Sequence, residues 1–101
     1  MNLESEFTQA LEGTIKAAKS KGYIPTYFIQ MLSEHGGLET AKRLLADSEA
    51  QSGLFKLWEL GLLHESMEAV VLQDKFHSLF TEDELREARR RLKALGHIKQ
   101  G

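Results

Sequence analysis

Residues 81–96, TEDELREARRRLKALG, contain the complete signature of one amphipathic helix. Thr81 and Glu84 match a capping box, in which each side chain accepts a hydrogen bond from the other residue's backbone N–H. The apolar positions that recur at helical spacing are Leu85, Ala88, Leu92 and Leu95. Gly96 follows where a glycine commonly ends a helix. The stretch therefore predicts a last helix that ends before Gly96.

The N-terminal segment predicts a second long helix. Leu3, Phe7, Leu11 and Ile15 recur every four residues and form an apolar stripe. Asn2 is a suitable N-cap, and Gly22 stands where a glycine would end the helix. We therefore predict a helix over about residues 3–21.

The middle of the chain is divided into short helical segments by its proline and glycines. Pro25 predicts a helix start, the Gly36-Gly37 pair predicts its end, and a further helix follows over residues 38–46. We predict a loop at 47–52, a helix from about Ser52 to Gly61, a helix over 67–73 and a turn or short helical piece at 74–80. The tail 97–101 is predicted to fray. Because no stretch alternates like a strand, we predict an all-α, single-domain bundle of five to six short helices over residues 1–101.

The composition excludes several classes of protein. The chain has 101 residues, a formal net charge of −2 and no cysteine, which excludes disulfide scaffolds, thiolate metal sites and histone-like basic proteins. No apolar run approaches the roughly 18–20 residues of a membrane span. The first twenty residues lack a signal peptide's pattern, so we expect a soluble, cytoplasmic protein.

The candidate catalytic groups are few. The four histidines have no metal-ligand spacing, and neither a GxSxG turn nor a phosphate-binding loop occurs, so we expect no metal, no cofactor and no catalytic residues. An enzyme remains a third class of function. Its only basis is Glu59, beside Trp58, together with His64 and Tyr27.

Apolar and aromatic residues exceed what a small core needs in the middle of the chain. Phe28, Phe55 and Trp58 are expected to contribute to the core, and the residues predicted to line an apolar groove are Tyr23, Tyr27, Trp58, Leu62 and Leu63. Such a groove predicts non-catalytic binding of a partner protein. A second copy of the chain is the alternative occupant.

The last helix carries the strongest concentration of positive charge. Arg86, Arg89, Arg90 and Lys93 predict, as the alternative function, association with nucleic acid, with binding that weakens as salt rises. The opposing interpretation is a solvated helix face, since Glu82–Arg86 and Glu87–Arg91 have the spacing of intrahelical ion pairs.

The order of several motifs resembles a bacterial family of small helical domains. The front half carries GYIPTYFIQML at 22–32 and Gly36-Gly37, and the back half carries SGL at 52–54 and LWELG at 57–61. The resemblance covers about residues 22–93. It implies a helical module that stands alone or is appended to larger bacterial proteins, some with roles in nucleic-acid processing or defence, and it implies no catalytic residues. Relatives often carry Arg at the position of Leu62 and Asp at that of His64, a charged pair that this chain lacks.

Overall fold

The computed structural model describes residues 2–97, and all regular structure in that range is helical. The five α-helices are α1 (Leu3–Ser20), α2 (Thr26–Ala46), α3 (Ser52–Glu59), α4 (Met67–Val71) and α5 (Glu82–Ala94). Two 3-10 helices, Leu63–Glu65 and Asp74–Leu79, connect the later elements. The predicted all-α bundle is confirmed, whereas the prediction for the tail falls mostly on residues 98–101, outside the described range.

Helices α1 and α5 begin with the side-chain caps that the sequence predicts. Asn2 Oδ1 accepts a hydrogen bond of 2.8 Å from the backbone N–H of Ser5 at the start of α1. At the start of α5, Thr81 and Glu84 form both hydrogen bonds of the capping box. Each such cap typically stabilises a helix by about 1 kcal/mol. Lys42 also contacts Glu84, at 2.7 Å, and so links α2 to the first turn of α5.

Helix α2 is broken where the sequence predicts the boundary between two helices. Gly36 has φ 79° and ψ 171°, a conformation that only glycine adopts without strain. Gly37 then lies against α1, and a Cβ at this position would be 2.8 Å from the Cα of Thr8. The glycine pair therefore turns the chain and allows a close approach of α2 to α1.

The main core lies between α1, the second part of α2, α4 and α5. Its centre is an aromatic group in which the ring of Phe7 meets Phe76 and Phe80 edge to face, with centroids 5.2 and 5.3 Å apart. Helix α4 is buried on nearly every side, and its four buried residues include Glu68. In the described part of the chain, no helix has the length and apolarity needed to cross a membrane.

Candidate functional site

A partly open pocket of about 330 Å³ lies between the two ends of α2, the start of α3 and the floor formed by α4. We call it the α2–α3 pocket. Its wall and floor residues are Thr14, Ala18, Tyr23, Pro25, Tyr27, Phe28, Leu44, Asp47, Glu49, Ala50, Ser52, Gly53, Leu54, Leu57, Met67 and Glu68. Its volume is at the small end of the range of roughly 300–1,000 Å³ that ligand pockets occupy.

The first wall of the pocket follows from the way α1 ends. The backbone N–H of Gly22 donates to the carbonyl of Lys19 and that of Tyr23 donates to the carbonyl of Ala18, which is a Schellman motif. The motif packs Tyr23 against Ala18 and Leu57, so that its ring lies beside α3. A residue just beyond the C-terminus of α1 therefore forms part of the pocket wall.

The second wall is the loop between α2 and α3. Asp47 Oδ1 accepts a hydrogen bond of 2.9 Å from the backbone N–H of Glu49, and the side chain of Gln51 donates to the carbonyl of Ser48 at 3.0 Å. These bonds fix the turn without a strand or helix. They fix the loop that contributes Asp47 and Glu49 to the edge of the pocket.

Thr14, Met67 and Glu68 belong to the buried part of the pocket lining. The Thr14 hydroxyl donates to the carbonyl of Glu65 at 2.5 Å and so joins α1 to the segment before α4. Each of the three lining residues is no more than 5% exposed. Ser66 caps α4, since its hydroxyl accepts from the backbone N–H of Ala69 at 3.1 Å.

Arg91 is the buried charged group that fixes this floor. Its side chain is fully buried, and its Nη1 lies 3.2 Å from Glu68 Oε2 while its Nε lies 2.6 Å from Glu87 Oε2. Its Nη2 donates to the carbonyls of Leu44 and Asp47 at 3.0 and 3.1 Å. One guanidinium thus joins α5 to α4 and to the C-terminal end of α2, where the pocket residues Leu44 and Asp47 lie.

The two carboxylates that pair with Arg91 respond to it differently. Burial raises the pKa of Glu68 above its usual value, although Arg91 opposes this effect. Glu87 lies nearer the surface, and hydrogen bonds from Arg90 and then Arg91 lower its pKa to about 2. Glu87 is therefore charged at neutral pH, and a buried Glu68 needs Arg91 to hold its charge.

The structure brings together only part of the predicted groove. Tyr23 and Tyr27 line the α2–α3 pocket, and Tyr27 is 68% exposed. Trp58 and Phe55 are each about half exposed, so neither is the core residue that the sequence predicts. Neither Trp58 nor Phe55 lines the α2–α3 pocket.

Leu62 and Leu63 do not line an exposed groove, and this corrects the prediction. Both are only 7% exposed. The N–H of Leu62 donates to the carbonyl of Leu57 at 2.8 Å, and the two side chains pack together, as the Schellman motif that ends α3 requires. Leu63 packs against Leu54 and Leu92, between α3 and α5.

The basic side chains proposed for nucleic acid are all exposed, but two of them pair within α5. Arg86 donates to Asp83, and Arg90 donates two hydrogen bonds to Glu87 at 2.7 and 2.8 Å. The Glu87–Arg91 pair predicted from the sequence forms, whereas Arg86 pairs with Asp83 and not with Glu82. Arg89 and Lys93 lie one turn apart on the exposed surface.

Of the groups suggested for an enzyme, Tyr27 alone lines the α2–α3 pocket. Glu59 and His64 are exposed, neither lines the α2–α3 pocket, and His64 lies 3.9 Å from Glu65. Among residues 2–97, no group of three or more metal-ligating side chains is close enough to hold an ion.

Sequence reasoning missed the acidic residues of the pocket. Asp47 and Glu49 look like ordinary loop residues, and nothing local in the sequence shows which cavity they meet. Glu68 had a visible signal, because it stands between Met67 and Val70-Val71 in an otherwise apolar helix. A carboxylate in such a run requires a buried partner.

Comparison with protein-family models, curated proteins and solved structures finds no match to this chain. The resemblance to the bacterial family of helical domains therefore stays a prediction.

Proposed function

We propose that this chain is a non-catalytic interaction module and that the α2–α3 pocket binds a segment of a partner protein. The observation that supports the proposal is a preformed cavity of about 330 Å³ whose walls include Tyr23, Tyr27 and Phe28. Small, mostly apolar cavities of this kind bind single anchoring side chains well. We also propose that the protein is cytoplasmic, as the sequence predicts.

The surface beside the pocket supports a protein partner. Ile24 and Tyr27 are 63% and 68% exposed, and both belong to the segment that contributes Tyr23 and Pro25 to the pocket wall. A free small molecule needs only the cavity, whereas a polypeptide also covers apolar surface next to its anchor. The exposed residues extend the apolar contact area in this way.

A peptide selection tests the proposal. Random displayed peptides are selected on the wild-type protein and counter-selected on Gly53→Leu, which places a side chain in the cavity near the Tyr23 hydroxyl. Gly13→Leu on α1 is the matched control, because nothing lies within 4 Å of a Cβ there. We expect peptides that bind the wild type and the control equally and lose binding to Gly53→Leu.

Two results would contradict the proposal that the α2–α3 pocket binds a segment of a partner protein. If no selected peptide is sensitive to Gly53→Leu while both variants keep the wild-type circular dichroism spectrum, the pocket does not bind a partner segment. If sedimentation equilibrium shows a dimer that Gly53→Leu disrupts and Gly13→Leu does not, the occupant is a second copy of the chain.

The alternative function, association with nucleic acid through α5, has narrower support. Exposed Arg89 and Lys93 are its best contacts, since Arg86 and Arg90 already pair with carboxylates. Fluorescence anisotropy with a labelled RNA and a labelled DNA duplex tests it across a salt series. Binding that weakens with salt in proportion to the phosphates contacted, and that Arg89→Glu removes, would favour this alternative.

A further inference from the structure

Every charged residue that lines the α2–α3 pocket is acidic. Asp47 and Glu49 lie at its loop edge and Glu68 lies in its floor, whereas no lysine, arginine or histidine of residues 2–97 lines it. Charges of one sign around a cavity with apolar walls concentrate ions of the opposite sign. The pocket therefore attracts a positively charged group.

The positive charge of Arg91, behind the pocket floor, is already paired within the protein. Arg91 is fully buried, and its Nε, Nη1 and Nη2 donate to Glu87, to Glu68 and to main-chain carbonyls. Its donors point to partners within the fold, so Arg91 offsets Glu68 and leaves Asp47 and Glu49 to set the charge at the edge.

The aromatic walls favour the same kind of ligand. Tyr23, Tyr27 and Phe28 line the pocket, and a cation over an aromatic ring is attracted by the ring's negative face. The chain itself provides an example, because the exposed ammonium of Lys56 lies 6.0 Å from the centroid of the Tyr23 ring.

We propose, building on the proposed function, that the α2–α3 pocket binds a basic side chain of the partner protein, with arginine preferred to lysine. A guanidinium group is flat and weakly hydrated, stacks on aromatic rings and pairs with carboxylates through two donors at once. Tyr27 and Asp47 both line this cavity, and their side chains carry the aromatic ring and the carboxylate that these two contacts need. Apolar residues beside the arginine in the partner would cover Ile24.

Three small probes of similar size test this inference. Butylguanidinium represents the arginine side chain, butylammonium represents lysine, and N-butylurea is the neutral isostere of the guanidinium. Each is titrated into the isotopically labelled protein while the backbone amide signals of Gly53 and Glu49 are followed by NMR. We expect butylguanidinium to bind about fivefold or more tightly than butylurea, with butylammonium between them.

A charge variant separates the pocket from the overall charge of the protein. Asp47→Asn with Glu49→Gln removes both edge charges, and an asparagine at 47 still accepts the hydrogen bond that holds the loop. Glu12→Gln with Asp74→Asn removes two exposed charges outside the pocket and is the matched control. We expect the pocket variant to weaken butylguanidinium about threefold or more and to leave butylurea unchanged.

The possible failures are distinguishable. If butylurea binds the pocket as well as butylguanidinium, the pocket does not select a charged group. If both double variants weaken butylguanidinium equally, its binding depends on the overall charge of the protein and not on the pocket edge. Either result overturns the inference and leaves the proposed function standing. If none of the probes shifts the pocket signals, both the inference and the pocket's role in the proposed function are overturned.

Discussion

Replacing Arg91 with methionine is predicted to destabilise the protein far more than any change to an exposed arginine of α5. Methionine keeps the unbranched carbon chain and fits the buried site, but it removes every hydrogen bond of the guanidinium. Glu68 is then left 4% exposed, next to apolar residues of α4, without its cation. The carbonyls of Leu44 and Asp47 also lose their shared donor.

The expected loss in the free energy of unfolding follows from this burial. Removing one partner of a buried ion pair costs about 3–5 kcal/mol, because the remaining charge is left uncompensated in a low-dielectric site. Glu68 escapes part of that cost by taking up a proton, since burial already raises its pKa. We therefore expect about 3 kcal/mol at neutral pH, which lowers the melting temperature of a domain of this size by roughly 10–25 °C.

Urea unfolding followed by far-ultraviolet circular dichroism measures this loss. Arg89→Met is the matched control, since it makes the same chemical change two residues away at an exposed position, and we expect it to cost no more than about 0.5 kcal/mol. Replacing both Arg91 and Glu68 with methionine should restore much of the loss, because no buried charge then remains. A loss below about 1 kcal/mol for Arg91→Met, or equal losses for both arginines, would refute the reasoning.

Three further predictions concern the packing and charge of the same framework. Gly37→Ala should lower the free energy of unfolding in urea by about 1–3 kcal/mol, because the new Cβ would meet the Thr8 backbone. A urea midpoint equal to that of the wild type would mean that α1 and α2 separate easily at this contact. Leu62→Ser should lower the free energy of unfolding by about 2–4 kcal/mol, whereas Ile24→Ser at an exposed position should leave it almost unchanged. Similar losses for the two variants would contradict the burial of Leu62. Glu87 has a lowered pKa of about 2 in the folded protein. Its contribution to the free energy of unfolding is therefore complete above about pH 4.5 and is lost as the pH falls towards 2. Glu87→Gln should therefore cost about 1–2 kcal/mol at neutral pH and nothing at the acid end of a pH series, and a difference that persists there would contradict this assignment.

The helix boundaries were predictable because they depend on local chemistry. Asn2 and the Thr81–Glu84 capping box begin their helices through hydrogen bonds within a few residues. Gly36 breaks α2 because its own backbone conformation is left-handed. None of these features needs a distant partner, so the sequence contains all the information that they require.

The buried face of α3 was not predictable in the same way. Leu54, Phe55, Leu57 and Trp58 of this eight-residue helix, with Leu60 at its C-cap, are spread over several of its sides, so periodicity alone cannot choose the inner side. The rest of the chain makes that choice, since Leu54 packs with Leu92 of α5. The aromatic core is supplied instead by Phe7, Phe76 and Phe80.

Among three consecutive arginines, only tertiary structure distinguishes the buried one. Arg91 lies three residues after Ala88, next to the buried stripe of α5, while Arg89 and Arg90 point to solvent. Its predicted partner Glu87 is local, but Glu68 and the carbonyl of Asp47 are 23 and 44 residues away. The sequence alone shows a cluster of positive charge, whereas in the structure Arg91 joins α5 to α4 and to the end of α2 through hydrogen bonds.

The hydrogen bonds of Arg91 connect the stability of the fold to the geometry of the pocket. A buried ion pair adds little net stability compared with an apolar pair of the same volume, so its main effect here is to fix position. Arg91 holds both the Asp47 carbonyl at the pocket edge and the Glu68 carboxylate in the floor. The double methionine variant should therefore regain stability while its pocket loses affinity for butylguanidinium. A double variant that is both stable and fully competent to bind would show that the ion pair serves the core alone.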